Sequence, residues 1–357
     1  MSTPAPTVVA LGGGHGLHAT LRAARHLGEN VTAVVTVADD GGSSGRLRRE
    51  LGALPPGDLR MALAALAADS EHGRLWSTAV QHRFGGHGAL AGHPVGNLLI
   101  TGLAEVLGDP VAALDTVGSL LGLQGRVLPM SRVPLEIEAD VAGLQDDPRV
   151  STAIRGQVAV ATTAGQVRRV RLLPPKPTAC SEAVAAVLAA DLVVLGPGSW
   201  FSSVIPHVLV PELLAAMLNT RALRVAVLNL APQPGETAGF STERHLHVLS
   251  QHAPGLRLDA VVVDRRSVHP GKETEQVSRV AQRLGARLVV ADVAKEDTET
   301  HDPALLGQVL ADILAQGGSA EAEAAGTVAA DRVTPGPSSP HPVTPDPIDG
   351  EDAPAWR

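Results

Sequence analysis

Residues 7–17 read Thr-Val-Val-Ala-Leu-Gly-Gly-Gly-His-Gly-Leu. The aliphatic and β-branched run Thr7–Leu11 has the length and composition of a fully buried strand, and it stops abruptly at glycine. From Leu17 to Leu27 the apolar residues recur at helical spacing, so the glycines join a strand to a helix. In that geometry backbone N–H groups and the helix dipole can hold a phosphate. Gly12, Gly13, Gly14, His15 and Gly16 are therefore candidate phosphate-binding residues, a purely structural turn being the other reading. The dinucleotide fingerprint is broken because Leu17 stands where its third glycine belongs, and no G-x-x-x-x-G-K-[ST] pattern occurs.

Working outward, similar short runs occur at Val31–Val37, Leu192–Leu195, Leu223–Asn229, Leu258–Asp264 and Ala286–Ala291. Ala- and Leu-rich stretches with helical spacing lie between them, among them Leu59–Ala68, Asn97–Leu107, Ser181–Ala190 and Val277–Leu284. This alternation predicts an α/β fold, a Rossmann-like, doubly wound and mainly parallel sheet. The segment Arg126–Leu173 differs: Val133, Leu135, Ile137, Ala139 and Val141 alternate with polar residues, and Val158–Thr162 and Val167–Leu172 flank a turn-like Thr163–Gly165. A small antiparallel β insertion containing that hairpin is expected. Beyond Gly317 the helical pattern ends and proline, serine and acids accumulate, which predicts one domain over 1–316 and a disordered tail over 317–357.

Composition removes several function classes. With 44% hydrophobic and 18% charged residues the 357-residue chain can bury a large core. Its net charge of −8 has the wrong sign for a nucleic-acid partner, and with 2% aromatic residues and no tyrosine there are few base-stacking surfaces. The single cysteine, Cys180, excludes an intrachain disulfide or a multi-cysteine metal site. It reads as a helix-start or core residue rather than a nucleophile. No secretion signal is visible at Met1–Val9, and Asp191 interrupts the best apolar window, Val184–Leu195. No membrane span and a cytoplasmic location are expected.

The second strand runs into Asp39-Asp40-Gly-Gly-Ser43-Ser44-Gly-Arg46 at the carboxyl edge, where open α/β sheets bind ligands. Asp39 and Asp40 could hold a ribose hydroxyl or a divalent cation such as Mg2+, with Ser43 and Ser44 reaching phosphate; equally, they could cap the turn. Pro55-Pro-Gly-Asp-Leu-Arg60, His93-Pro-Val-Gly96-Asn97, Gly196-Pro-Gly198-Ser199 and Gln233-Pro-Gly-Glu-Thr237 punctuate other element ends. Their joint occurrence predicts one shared, nucleotide-shaped crevice that includes Gly96, Asn97, Gly196, Gly198 and Ser199. The 14 histidines lack metal-ligand spacing, and Ser199 is no nucleophile elbow because Trp200 occupies the place of a glycine.

Taken together, GGGHGL at Gly12–Leu17, TVADDGGSSGRLR at Thr36–Arg48, PPGDLR at Pro55–Arg60, GNLL at Gly96–Leu99, GPGSWFSSVIP at Gly196–Pro206 and QPGET at Gln233–Thr237 resemble the YvcK-like gluconeogenesis factor family. The resemblance spans Thr7 to Leu314. It implies a Rossmann-like core related to the 2-phospho-lactate transferases, which use a bound nucleotide and a divalent cation. It further implies a UDP-sugar binder, notably of UDP-N-acetylglucosamine, that is needed for cell shape and envelope synthesis on gluconeogenic carbon. No established reaction comes with it. By that similarity Gly12–Gly16 lie against the phosphates and Asp39 and Asp40 hold a hydroxyl or cation, while Ser43, Ser44, Asn97, Gly198 and Ser199 line the cleft. A protein partner in envelope synthesis, a homo-oligomer, and phosphorylation at Thr334 or Thr344 belong to the same expectation.

The chain departs from relatives at His15 (often threonine), Trp200-Phe201 (often Leu-Tyr) and Asn229–Pro232 (often Asn-x-Met-Thr). Two other activities fit parts of the pattern. A phosphotransferase of the 2-phospho-L-lactate transferase type would need a ring-stacking surface, for which Trp200 and Phe201 are the candidates near the motifs. A nicotinamide-dependent oxidoreductase would use the first glycine loop and Asp39 but leaves Leu17 and the remaining loops unexplained.

Overall fold

In the computed structural model, which describes residues 5–147, 149–233 and 235–330, β1 (Val8–Gly12) is the central strand. Residues Val8 to Leu11 are at most 1% exposed, as expected of a strand covered on both faces. β1 pairs in parallel with β2 (Val31–Val35), which pairs with β3 (Arg126–Pro129). On its other side β1 pairs with β7 (Leu192–Leu195), followed outward by β8 (Leu223–Val227), β9 (Ala260–Asp264) and β10 (Arg287–Ala291). The sheet order is therefore β10-β9-β8-β7-β1-β2-β3. The chain winds from β1 toward β3, then crosses back to β7, so the direction of winding reverses between β1 and β7. That reversal is the point at which a doubly wound sheet opens a crevice for ligands.

The helices follow in chain order: α1 (Gly14–Ala24), α2 (Gly42–Leu51), α3 (Pro56–Leu66), α4 (Glu71–Gln81), α5 (Val95–Leu107) and α6 (Pro110–Leu121) precede β3. α7 (Gln157–Ala161), α8 (Ser181–Ala189), α9 (Ile205–Leu209), α10 (Pro211–Asn219), α11 (Thr242–His252), α12 (Lys272–Arg283) and α13 (Pro303–Ala330) complete the set among the described residues. Local chemistry sets their limits. α6 starts where Asp109 accepts the Val111 amide, has proline in its first turn and stops at Gly122 in the left-handed conformation (φ +59). Cys180 is the fully buried residue before α8.

A second sheet, in the order β5-β4-β6, comprises β4 (Glu136–Ala142), β5 (Ser151–Arg155) and β6 (Gln166–Leu173), all antiparallel. Leu135, Ile137, Ala139 and Val141 are fully buried, so the alternation along β4 marks its inner face. Two expectations need correction here. Arg126–Pro129 is not part of the insertion but the outermost parallel strand of the main sheet. Val158–Thr162 is not a hairpin strand, because residues 157–161 form α7, which turns off Gly156 (φ +99) and donates the Val158 amide to Asp40 Oδ1 at 2.9 Å. An acidic side chain at a helix start outweighed the β-propensity of Val-Ala-Val-Ala.

Contacts divide the chain into Met1–Gln316 and Gly317–Arg357. α13 continues past Gly317 on an Ala- and Glu-rich stretch of high intrinsic helix propensity. Of the tail expected to be disordered over 317–357, residues 317–330 instead continue α13, and residues 331–357, with Thr334 and Thr344, lie outside the described residues. Among the described residues no single helix is long and apolar enough to cross a membrane. The bent pair Trp200–Leu209 and Pro211–Asn219 is apolar enough in composition, but Trp200, Phe201, Ile205 and Leu213 are fully buried in the core.

Candidate functional site

Two glycine loops meet at the winding reversal. Gly12 ends β1, Gly13 precedes α1 with extended backbone, and Gly14 takes φ +59. Opposite them Gly196 (φ +74) and Gly198 (φ +145) follow β7. The loops touch through backbone: a Cβ added at Gly16 would lie 2.1 Å from the Pro197 carbonyl oxygen. Only glycine permits that approach. Thr20 in α1 donates to the Gly196 carbonyl at 2.9 Å. Asn229, just past β8, accepts the Gly198 amide and donates to the Gly198 carbonyl, both at 2.9 Å. The second loop is thereby held from both sides.

A cleft of about 240 Å³ opens over this junction, lined by His15, Gly16, Pro197, Gly198, Asn229 to Gln233 and Glu299 to His301. Ser199 is at its edge, where Gln233 Nε2 donates to its hydroxyl at 3.4 Å. Two residues of its lining carry a buried polar atom without a partner, Gln233 Oε1 and His301 Nε2. Such atoms are uncommon in folded proteins and need a reason. Burial pushes the Glu236 carboxyl up to about 7, with the Ser202 hydroxyl and the Ser202 and Phe201 amides pulling the other way. Burial lowers His301 to about 4, so its ring is neutral.

On the other flank of Gly13 stands Asp58, in the first turn of α3. A Cβ at Gly13 would come within 2.4 Å of Asp58 Oδ2 and 2.7 Å of Thr36 Cγ2. Asp39 Oδ1 accepts the Gly41 amide at 2.9 Å, which is the capping role, while Asp39 Oδ2 faces Gly57. Burial and the neighbouring Asp39 carboxylate raise Asp58 to about 7, against the pull of the Gly14 amide and Arg60. The Asp58 carboxyl is thereby protonated across the acid range beside the Asp39 side chain.

The remaining sequence candidates form the wall behind that flank. Ser44 Oγ accepts the Gly57 amide at 3.0 Å and fixes the start of α3. Arg60 Nε donates to Asn97 Oδ1 at 2.9 Å, Asn97 Nδ2 donates to Ser43 Oγ at 2.9 Å, and the Ser43 hydroxyl meets His93 Nδ1 at 2.7 Å. All four residues are 1–6% exposed, so Ser43 and Asn97 are engaged by protein. Gly96 is required because a Cβ there would sit 2.9 Å from Arg60 Cγ and from Val80. Asp40 is turned to the small sheet: it takes the Val158 amide, and a Cβ at Gly156 would meet its Oδ2 at 2.3 Å. The acid beside Asp39 at the glycine loop is Asp58, not Asp40.

Asp58, Asn229, Gln233, Glu236 and His301 were not singled out as site residues from the sequence, although the first, third and fourth lie inside the quoted motifs. Trp200 and Phe201 offer no stacking surface. Both are fully buried; Trp200 packs edge-on against His245 at 5.3 Å and donates its ring N–H to the His245 carbonyl. Among the described residues no three His, Cys, Asp or Glu are grouped to hold a metal ion. Asp39 and Asp58 do supply the two hard oxygen ligands with which Mg2+ is commonly held alongside ligand phosphates.

A doubly wound α/β sheet with paired glycine loops at its winding reversal is the arrangement in which open α/β proteins place a ligand crevice. Residues 8–303 match the family "2-phospho-L-lactate transferase CofD", and the chain belongs to that family. It is 65% identical over 309 residues to a Mycobacterium tuberculosis protein named "Putative gluconeogenesis factor", covering 87% of this chain and 90% of that one. It is 32% identical over 326 residues to the Bacillus subtilis "Gluconeogenesis factor", covering 87% and 98%. A crystal structure of a UPF0052-family protein from Bacillus halodurans superposes with a TM-score of 0.76 at 31% identity, over 86% of this chain and 99% of that one.

Proposed function

We propose that this protein is a cytoplasmic regulator that binds a UDP-sugar, UDP-N-acetylglucosamine in the first instance, in the crevice between β1 and β7. The observation that carries the reading is the pair of glycine loops pinned by Thr20 and Asn229 around an open cleft. Gly12–Gly16 would offer amides and the α1 N-terminus to the diphosphate, a neutral arrangement suited to a protein of net charge −8. Gln233 and His301, which line the cleft and each carry a buried atom without a protein partner, would meet the ligand's polar groups. Ser43, Ser44, Gly96 and Asn97 act by holding the loops, and Gly196, Gly198 and Ser199 form the far wall. In this reading the loaded protein acts through a protein partner in envelope synthesis during gluconeogenic growth, as a homo-oligomer whose nucleotide-binding domain is 1–316.

The test is the thermal midpoint of the purified chain with UDP-N-acetylglucosamine, UDP-glucose, GDP and a nicotinamide dinucleotide, each with and without magnesium. A ligand that binds only the folded state raises the midpoint by mass action. A shift confined to the UDP-sugars is expected; a shift with none of them overturns the reading.

The Asp39–Asp58 pair favours a second reading, phosphoryl transfer. Mg2+ held by the two carboxylates would neutralise phosphate charge. An acceptor hydroxyl would form the new P–O bond as the bond to the nucleotide breaks, its proton passing to solvent and a nucleoside monophosphate leaving. Nucleoside monophosphate release on mixing donor and acceptor tests it.

A further inference from the structure

Arg60 is 5% exposed, and its stem packs against α5 at Gly96. Its Nε is tied to Asn97 Oδ1, which fixes the plane of the guanidinium. Among the described residues its two terminal nitrogens have no protein acceptor, and Arg60 makes no ion pair. Burying a guanidinium without a counter-charge is costly, and proteins seldom keep one without use. Asp58, two residues earlier, is the nearby carboxyl, but it faces Gly13 and makes no ion pair with Arg60.

A second cation is close. Arg83 forms a bridge with Pro94, immediately before α5, and its Nη1 donates to the Gly92 carbonyl at 2.9 Å. Among the described residues it too has no carboxylate partner. The charge of Arg83 acts directly on Arg60, as does that of Asp58.

We propose that Arg60 and Arg83 form a receptor for a small oxyanion, a phosphate or a carboxylate, that is either borne by the sugar nucleotide or bound beside it. The fork of Arg60, with Nε already committed, presents its outer two nitrogens as a bidentate cradle, the geometry that suits a planar or tetrahedral oxyanion. Arg83 adds charge from the exposed side. This rests on the nucleotide-sugar reading only for the word "sugar"; the anion receptor stands on the arginines.

The experiment titrates three probes calorimetrically into the full chain at fixed ionic strength: inorganic phosphate, UDP-N-acetylglucosamine, and the same nucleotide sugar bearing a 3-O-carboxyethyl group. The wild type should bind the carboxyethyl derivative about tenfold more tightly than the parent when the oxyanion is borne by the ligand, or phosphate saturably when it is free. Arg83→Ala, at an exposed position, should erase that preference or that binding while leaving affinity for the parent sugar nucleotide unchanged. Arg60→Lys keeps the charge but loses the fork, and should abolish the preference for the anionic probes as well. Equal affinities in wild type and Arg83→Ala for both anionic probes would overturn the proposal. Loss of binding to the parent nucleotide alone, with phosphate binding still dependent on Arg83, would instead refute the crevice reading and leave the receptor standing.

Discussion

Asp58→Asn should stabilise the protein above neutral pH and not below about pH 4. In the folded chain the Asp58 carboxyl is raised from 3.8 to about 7, first by burial and then by Asp39. Between those two values the native state keeps a proton that the unfolded chain releases, so stability falls as pH rises through that window. A rise of this size, at ~1.4 kcal/mol per pH unit, corresponds to at most about 4 kcal/mol of destabilisation above pH 7. Because the side chain is only partly shielded from solvent, about 2 kcal/mol is the working figure once screening is allowed for. Asparagine is isosteric, can still accept from the Gly14 amide and never ionises. Urea unfolding of both proteins at about pH 5 and pH 8 should give a stability difference that grows in favour of Asp58→Asn by about 1.3 kcal/mol, the share of the window that lies above pH 5. A difference that is the same at both pH values would refute the assignment of Asp58 as a buried acid held by Asp39.

Gly16→Ala forces a methyl onto the Pro197 backbone, an overpacking that should cost about 1–3 kcal/mol and be visible as a lower denaturant midpoint at unchanged m-value. Asn229→Ala removes both bonds to Gly198; calorimetry should find UDP-N-acetylglucosamine bound about tenfold more weakly by a protein that remains folded. Trp200→Ala empties a fully buried site and should lower stability by about 3–5 kcal/mol in urea titration, whereas a stacking residue in an open cleft would cost far less. Magnesium should raise the thermal midpoint of wild type in the presence of a nucleoside diphosphate, and this increment should vanish in Asp39→Asn and Asp58→Asn alike.

The sheet could be read from the sequence because each main strand is a covered aliphatic run between glycines or acids, a pattern that local composition carries unaided. β3 escaped because Arg126–Pro129 is short, contains arginine and proline, and lies at the sheet edge, where pairing with β2 rather than composition makes it a strand. α7 escaped for a related reason: its helix start depends on Asp40, 118 residues earlier in the chain. At the site, the glycine loops were legible since they need only their own backbone. Asp58 and Arg60 were not, although both stand in Pro55–Arg60: what distinguishes them is burial beside Asp39 and beside Asn97, relations that arise only when α3 is packed between α1 and α5. Trp200 and Phe201 misled in the opposite sense, being adjacent in sequence to the site loop but turned into the core.

The central claim is that the crevice between the two glycine loops holds a nucleotide sugar. Calorimetric titration of UDP-N-acetylglucosamine into the wild-type chain and into Asn229→Ala tests it most directly. The account predicts saturable one-site binding to the wild type and a clear loss of affinity when the clamp on Gly198 is removed. Equal affinity in the two proteins, or no binding to a folded wild type, would contradict it.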